Sequence, residues 1–162
     1  MADLNQFTNL AGEFYVLSIL NRLHIESYLT LGNSKGVDIV CYHNDKRFNV
    51  EVKTVMQYPW LIGTKDPTTG WQGKHFKKFY IFVKIGDYRK SFKLENPEVY
   101  IIPEEDIVEK KMFLETGKGF VLDGPTTPER VKGGKHKTKE ERISYSFELG
   151  KYKDKWNLLT SD

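Results

Sequence analysis

Three charged residues stand where strands should be apolar. Residues 37–54 read VDIVCYHNDKRFNVEVKT, with Asp38 in the first apolar run and Glu51 and Lys53 in the second. Side chains alternate along a strand, so Phe48, Val50 and Val52 share one face while Asn49, Glu51 and Lys53 share the other. Glu51 and Lys53 are then about 6–7 Å apart and point the same way. If the two runs pair through the polar turn CYHNDKRF, Asp38 comes beside Glu51 or Lys53. Two carboxylates can hold a hard cation such as Mg²⁺ through oxygen. Such a cation acidifies a bound water and stabilises charge on a phosphate oxygen. A neighbouring ammonium can orient the water or stabilise developing negative charge. The chemistry this set would serve is phosphodiester hydrolysis.

A fourth charge comes from the first helix, expected over residues 4–24 with Asp3 and Gln6 as a capping box. Phe7, Leu10, Ala11, Phe14, Leu17 and Leu20 recur at helical spacing. At about 100° per residue, Glu13 falls inside their arc. A carboxylate there is costly unless paired, protonated or near a metal. A helix packed on the Glu51 side would bring Glu13 to the same place, giving three carboxylates and one ammonium. E-x-K alone says little, since Glu109-Lys110-Lys111 repeats it on a helix whose charges face solvent. The competing reading of the hairpin is a half-exposed sheet with cross-strand ion pairs.

The remaining elements follow from pattern. SYLTLGNSKG reads as a short strand and a loop, Val37–Tyr42 and Phe48–Val55 as strands, and residues 58–73 as a long irregular loop with Pro59, Gly63, Pro67 and Gly70. FYIFVKI (79–85) and EVYII (98–102) are apolar strands. Pro103 opens a helix, PEEDIVEKKMFLE, with acids in its first turn. Residues 117–142 look like a basic mobile loop with a short strand at 120–122, and a C-terminal helix is expected over 144–159. The expected fold is α/β: a central four- or five-stranded mixed sheet flanked by helices, in a single domain spanning 1–162 with its core in 4–115.

The chain has 162 residues, 39% hydrophobic and 29% charged, with a net charge of +3. One cysteine, Cys41, excludes an internal disulfide framework and a multi-cysteine zinc site, and fits a strand core. His24, His43, His75 and His136 lack zinc-ligand spacing. No apolar run is long enough to span a membrane, and MADLNQFTNL lacks the features of a secretory leader, so a cytoplasmic protein is expected. Basic residues cluster locally. Lys74, Lys77, Lys78, Lys84, Arg89 and Lys90 accompany one acid, Asp87, and a second cluster includes Lys132, Lys135 and Lys137. Such patches can neutralise phosphates. His75 among its lysines could touch phosphate or base.

The residues Gly12-Glu13, Gly36-Val37-Asp38-Ile39-Val40 and Val50-Glu51-Val52-Lys53-Thr54 resemble the motifs of the PD-(D/E)XK nuclease superfamily, the restriction-endonuclease-like fold. The resemblance covers roughly residues 10 to 55, with Val-Asp in place of Pro-Asp. It implies a Mg²⁺-dependent (Mn²⁺ possible) DNA endonuclease. Asp38, Glu51 and the Val52 carbonyl would bind metal, Glu13 would support a metal or its waters, and Lys53 would assist the nucleophile. Lys74, His75, Lys77, Lys78, Lys84, Lys132, Lys135 and Lys137 would meet nucleic acid. Cutting both strands of a duplex needs two sites, so a homodimer is expected. A structure-specific resolvase or repair nuclease, or a non-catalytic DNA-binding protein of the same fold, are the alternatives. The helix expected between Lys53 and the next central strand is not evident, unless WQGKHFKK (71–78) is its remnant.

Overall fold

A computed structural model describes residues 4–30, 36–69, 76–87, 96–125 and 148–161. Helix α1 (Leu4–Arg22) is followed by β1 (Glu26–Leu29), β2 (Ile39–His43), β3 (Lys46–Val55), β4 (Trp60–Gly63), β5 (Lys77–Lys84) and β6 (Glu98–Pro103). A short helix, α2 (Glu104–Glu109), strands β7 (Leu114–Thr116) and β8 (Gly119–Leu122), and a 3-10 turn (Trp156–Leu159) complete the order. The central sheet has five strands in the order β1-β2-β3-β5-β6. Only β3 and β5 run parallel; the other neighbours are antiparallel. This is the mixed α/β sheet that the strand pattern implied.

Local chemistry sets several boundaries. Asn44 and Asp45 both adopt positive φ (48° and 59°) between the paired residues His43 and Lys46. That is the two-residue primed turn suited to the twist of a hairpin. Each helix ends on a left-handed residue, His24 (φ 57°) and Lys111 (φ 49°). The Ile25 N–H then donates to the Leu20 carbonyl, and that of Met112 to the Ile107 carbonyl, each at 3.0 Å. These are Schellman closures, and in both the bonded pair is buried and apolar.

Three expectations are corrected. The loop expected over 58–73 contains β4, which pairs with β8 in a second sheet of order β4-β8-β7. Trp60 is fully buried there and donates its indole N–H to the Val83 carbonyl. The helix after Pro103 stops at Glu109, because the left-handed Lys111 turns the chain into the β7–β8 hairpin. The C-terminal helix expected over 144–159 is broken up: in its described part residues 148–150 are α-helical, followed by a turn and the 3-10 segment Trp156–Leu159. Tyr152 instead accepts from Ile101 N–H, Asp154 N–H donates to Val99, and Lys153 bridges Tyr100. The open edge of β6 takes these backbone groups in preference to the weak helical stripe of Tyr145, Leu149, Tyr152 and Trp156. Of WQGKHFKK, Lys77 and Lys78 belong to β5 and residues 71–75 lie outside the described residues.

The central sheet has a core on each face. Val16 and Leu20 of α1 pack with Ile39, Val50, Val52, Phe79, Ile81 and Leu159 on one. Trp60, Ile62, Leu122, Ile107, Leu149 and Tyr152 pack on Tyr80, Phe82, Tyr100 and Ile102 on the other. Helix α1 does not use the expected arc. Its buried residues are Thr8, Gly12, Val16 and Leu20, while Phe7 and Phe14 are 59% and 56% exposed. The reason is the small residue at position 12. A Cβ built on Gly12 would lie 1.7 Å from Thr54 Oγ1, so the helix rests on β3 through a surface that a larger side chain would push away. Among the described residues no helix is long and apolar enough to cross a membrane.

Candidate active site

Strand alternation places Glu51 and Lys53 on the face opposite α1, and the parallel register of β5 sets Tyr80 beside Glu51 and Lys78 beside Asn49. Glu51 is buried and both its oxygens are held. Lys53 Nζ lies 2.5 Å from Oε1, and Lys78 Nζ lies 2.6 Å from Oε2. Lys78 also reaches Glu104 Oε1 at 3.3 Å and the Tyr80 hydroxyl at 3.2 Å, with its ammonium 4.5 Å from the Tyr80 ring centroid. Gly36, at φ +80°, closes over this pair; a Cβ there would stand 3.3 Å from Glu51 Oε2 and 3.5 Å from Lys78 Nζ. Only glycine takes that backbone without strain.

Asp38 lies where the hairpin ladder runs out. Its N–H donates to the Val50 carbonyl at 2.9 Å, and its Oδ2 accepts the Val52 N–H at 2.7 Å. The side chain thereby continues the hydrogen bonding of β2 past its end. Behind it, Thr30 donates its N–H to the Asp38 carbonyl and its hydroxyl to Val37.

The charges respond to this packing. Burial pushes the Asp38 carboxyl above its ordinary value and Glu51 adds to the push, against the Val52 N–H, Lys53 and Lys78. Glu51 goes the other way. Burial would raise it, but Lys78 and Lys53 outweigh burial and hold it below the usual range. Lys78 is held above the ordinary lysine value, its burial overcome by Glu51, Tyr80 and Glu104. Burial and Glu51 push Tyr80 up to about 12. Glu13 is raised by its own burial and then by Asp38.

Glu13 therefore feels Asp38, but not from the expected side. Helix α1 packs on the Val50–Val52 face, so Glu13 approaches the end of the sheet from behind Glu51. Among the described residues no three His, Cys, Asp or Glu side chains gather closely enough to hold a metal ion. The pair Asp38 and Glu51 suits a hard cation by donor chemistry, being oxygen-only and partly buried. At Asp38, raised by burial and further by Glu51, added positive charge would be favourable, whereas both oxygens of Glu51 are already matched by Lys53 and Lys78.

The basic residues separate. Lys78 is buried within the site, as described. Lys84 shares its face and pairs with Glu98 at 3.0 Å. Lys77 points to the opposite face, exposed, over the Phe79 ring and 3.4 Å from the Ser161 carbonyl. Lys74, His75, Lys132, Lys135 and Lys137 lie outside the described residues. Sequence reasoning missed Tyr80 and Glu104 and cast Lys78 as a surface contact. The available signal was K-x-Y, with the same period of two as E-x-K, on a strand that could pair with β3. Cys41 is buried core, its thiol pushed up to about 11 by burial.

A mixed five-stranded sheet carrying an aspartate at the end of one strand and a lysine-clamped glutamate on the next defines an α/β fold with a charged site at the sheet's end. No family profile matches the chain, and no curated protein matches it. Among solved structures it is similar to a bacterial homing endonuclease, I-Ssp6803I, with a TM-score of 0.53 over 98% of this chain and 92% of that one, at 14% sequence identity. At that identity the likeness shows the fold.

Proposed function

We propose that the protein is a divalent-metal-dependent DNA endonuclease of the PD-(D/E)XK type. The observation that carries this reading is the conjunction at the end of β3: Asp38, Glu51 and Lys53 on one fold, with Glu51 and Lys53 in direct contact. The fold shared with a homing endonuclease supports it. Asp38 and Glu51 would hold Mg²⁺ or Mn²⁺, with the Val52 carbonyl as a further oxygen, since the Val52 N–H already faces Asp38. When bound, the cation would acidify a water and stabilise charge on the scissile phosphate.

The chain's own residues have separable jobs. Val52 N–H fixes the rotamer of Asp38 and leaves Oδ1 for a ligand. Lys78 is locked by Glu51, Glu104 and Tyr80, so it restrains Oε2 of Glu51. Lys53 is the more exposed of the two lysines, with 27% of its side chain accessible against 9% for Lys78. It is the cation able to leave Glu51 and meet a phosphate oxygen or an attacking water. Lys84 flanks the same face and suits a backbone phosphate. Duplex cleavage then calls for two copies of the chain.

The test is incubation of supercoiled, linear, single-stranded and branched DNA with Mg²⁺ or Mn²⁺, with EDTA, Lys53→Ala and Asp38→Asn as controls. Metal-dependent nicking that both variants lose is expected. Intact DNA in every arm with wild-type protein, or cleavage undiminished in both variants, would sink the reading.

A further inference from the structure

Helix α1 has two apolar faces, and the fold uses one. The inner face, Thr8, Gly12, Val16 and Leu20, is buried on the sheet. The outer face carries Leu4, Phe7, Leu10 and Phe14, which are 41%, 59%, 39% and 56% exposed. Ala11 lies among them, and Leu17, partly buried against the core of the sheet, ends the row. At about 100° per residue these six positions span about 140° of the helix, centred almost opposite the buried row.

Their spacing is the informative feature. Leu4 matches Leu17, Phe7 matches Phe14, and Leu10 matches Ala11 about a point midway between Leu10 and Ala11. The apolar positions mirror one another about that point, with the residue types differing only at Leu10 and Ala11. An antiparallel two-fold contact centred at that point sets each of these apolar positions against another of them. The smallest side chain, Ala11, falls at the centre, where two helix axes come closest.

We propose that the outer face of α1 is a self-association surface, on which a second copy of this chain lays its own α1 antiparallel. Phe7 meets the partner's Phe14, Leu4 meets the partner's Leu17, and Leu10 meets the partner's Ala11. Charge selects this occupant over others. Over the row, Leu4 to Leu17, the helix has one charged residue, Glu13, which lies about 40° outside the row's edge. Nucleic acid would need cations there, and a lipid surface would need a basic flank. Two identical neutral faces meet without repulsion. The four exposed side chains offer on the order of 400 Å² of apolar surface per copy, about half of one side of a standard interface. The neutral amides Asn5, Gln6 and Asn9 suit the polar rim that completes it.

This inference stands on the helix and not on the nuclease reading, although that reading expects two copies. It is tested on metal-free, DNA-free protein, so a failed cleavage assay leaves it untouched. Sedimentation at about 50 μM should show a dimer for the wild type and a monomer for the Phe7→Ser/Phe14→Ser double variant with its circular dichroism retained. A wild-type monomer, or a folded double variant that stays dimeric, overturns the proposal. Variants with one added cysteine test the geometry independently of any folding loss. Under mild oxidation Ala11→Cys should link two chains. Leu4→Cys should not, because antiparallel pairing separates the two copies of residue 4 by about 20 Å along the axis. Linking through Leu4→Cys, or no link through Ala11→Cys, overturns antiparallel pairing. Cys41, buried in the core, serves as the unlinked control.

Discussion

The two faces of β3 carry six consecutive side chains to opposite ends of protein chemistry. Val50, Val52 and Thr54 meet α1 across a packed, uncharged core. Asn49, Glu51 and Lys53 meet Lys78, Tyr80 and Glu104 across buried charge. The first face is held by shape. Its tightest point is the contact of Gly12 with Thr54, where there is no room for one more carbon. The second is held by electrostatic matching, and removing one member leaves the others with an unbalanced buried charge. A single strand can therefore serve as core and as site, because alternation isolates the two within one residue.

The sharpest way to break the comparison is to substitute the charged face conservatively. Glu51→Gln should lower DNA cleavage about 10²–10³-fold while the far-ultraviolet circular dichroism stays unchanged. A proportionate loss of fold would mean that this face, too, is merely structural. Lys78→Met should cost about 3 kcal/mol in urea denaturation, since it removes the buried counterion of Glu51 Oε2 and leaves that carboxylate to Lys53 alone. Adding Glu51→Gln should recover part of that loss, and strict additivity in the double-mutant cycle would deny the coupling. On the dry face, Gly12→Ala should cost about 2 kcal/mol by overpacking against Thr54, with no change in the pH dependence of stability.

Acid separates the faces more gently. Glu51 is held low, so its stabilisation is full above the ordinary glutamate range and is lost as pH falls through its lower folded value. Asp38 and Glu13 are raised, so the native state gains on the unfolded as pH falls through their raised values. Urea midpoints measured from neutral to acid pH should show Asp38→Asn removing the earlier gain and Glu51→Gln removing the later loss. The smallest effect belongs to the outer row of α1. Phe7→Ser should change the melting free energy of dilute protein by under about 0.5 kcal/mol, against about 2 kcal/mol for the buried Val16→Ala.

The central strands were legible because alternation and apolar runs are local. FNVEVKT and FYIFVKI declared both their conformation and their faces, and the Asp38–Glu51–Lys53 grouping followed from one short hairpin. What escaped the sequence was non-local or a matter of fit. Lys78 joins Glu51 only through the parallel pairing of β3 with β5, which β4 separates in sequence, and Glu104 only by following β6. The face of α1 was misassigned because Phe7 and Phe14 are more apolar than Thr8 and Gly12, yet the sheet selects the surface that can approach closest. The C-terminal helix gave way to the backbone demand of β6, which no periodicity within residues 144–159 could announce.

The bond from Val52 N–H to Asp38 has an evolutionary consequence. Asp38 continues the ladder with its side chain, so its loss removes a backbone partner as well as a carboxylate. Asp38→Asn keeps an acceptor oxygen, whereas Asp38→Ala leaves the Val52 N–H without that partner. On the proposed nuclease reading, drift away from activity is thereby channelled. A descendant that abandoned the chemistry would still be selected to keep an oxygen at position 38, and asparagine there would be the mark of a retired site on an intact fold.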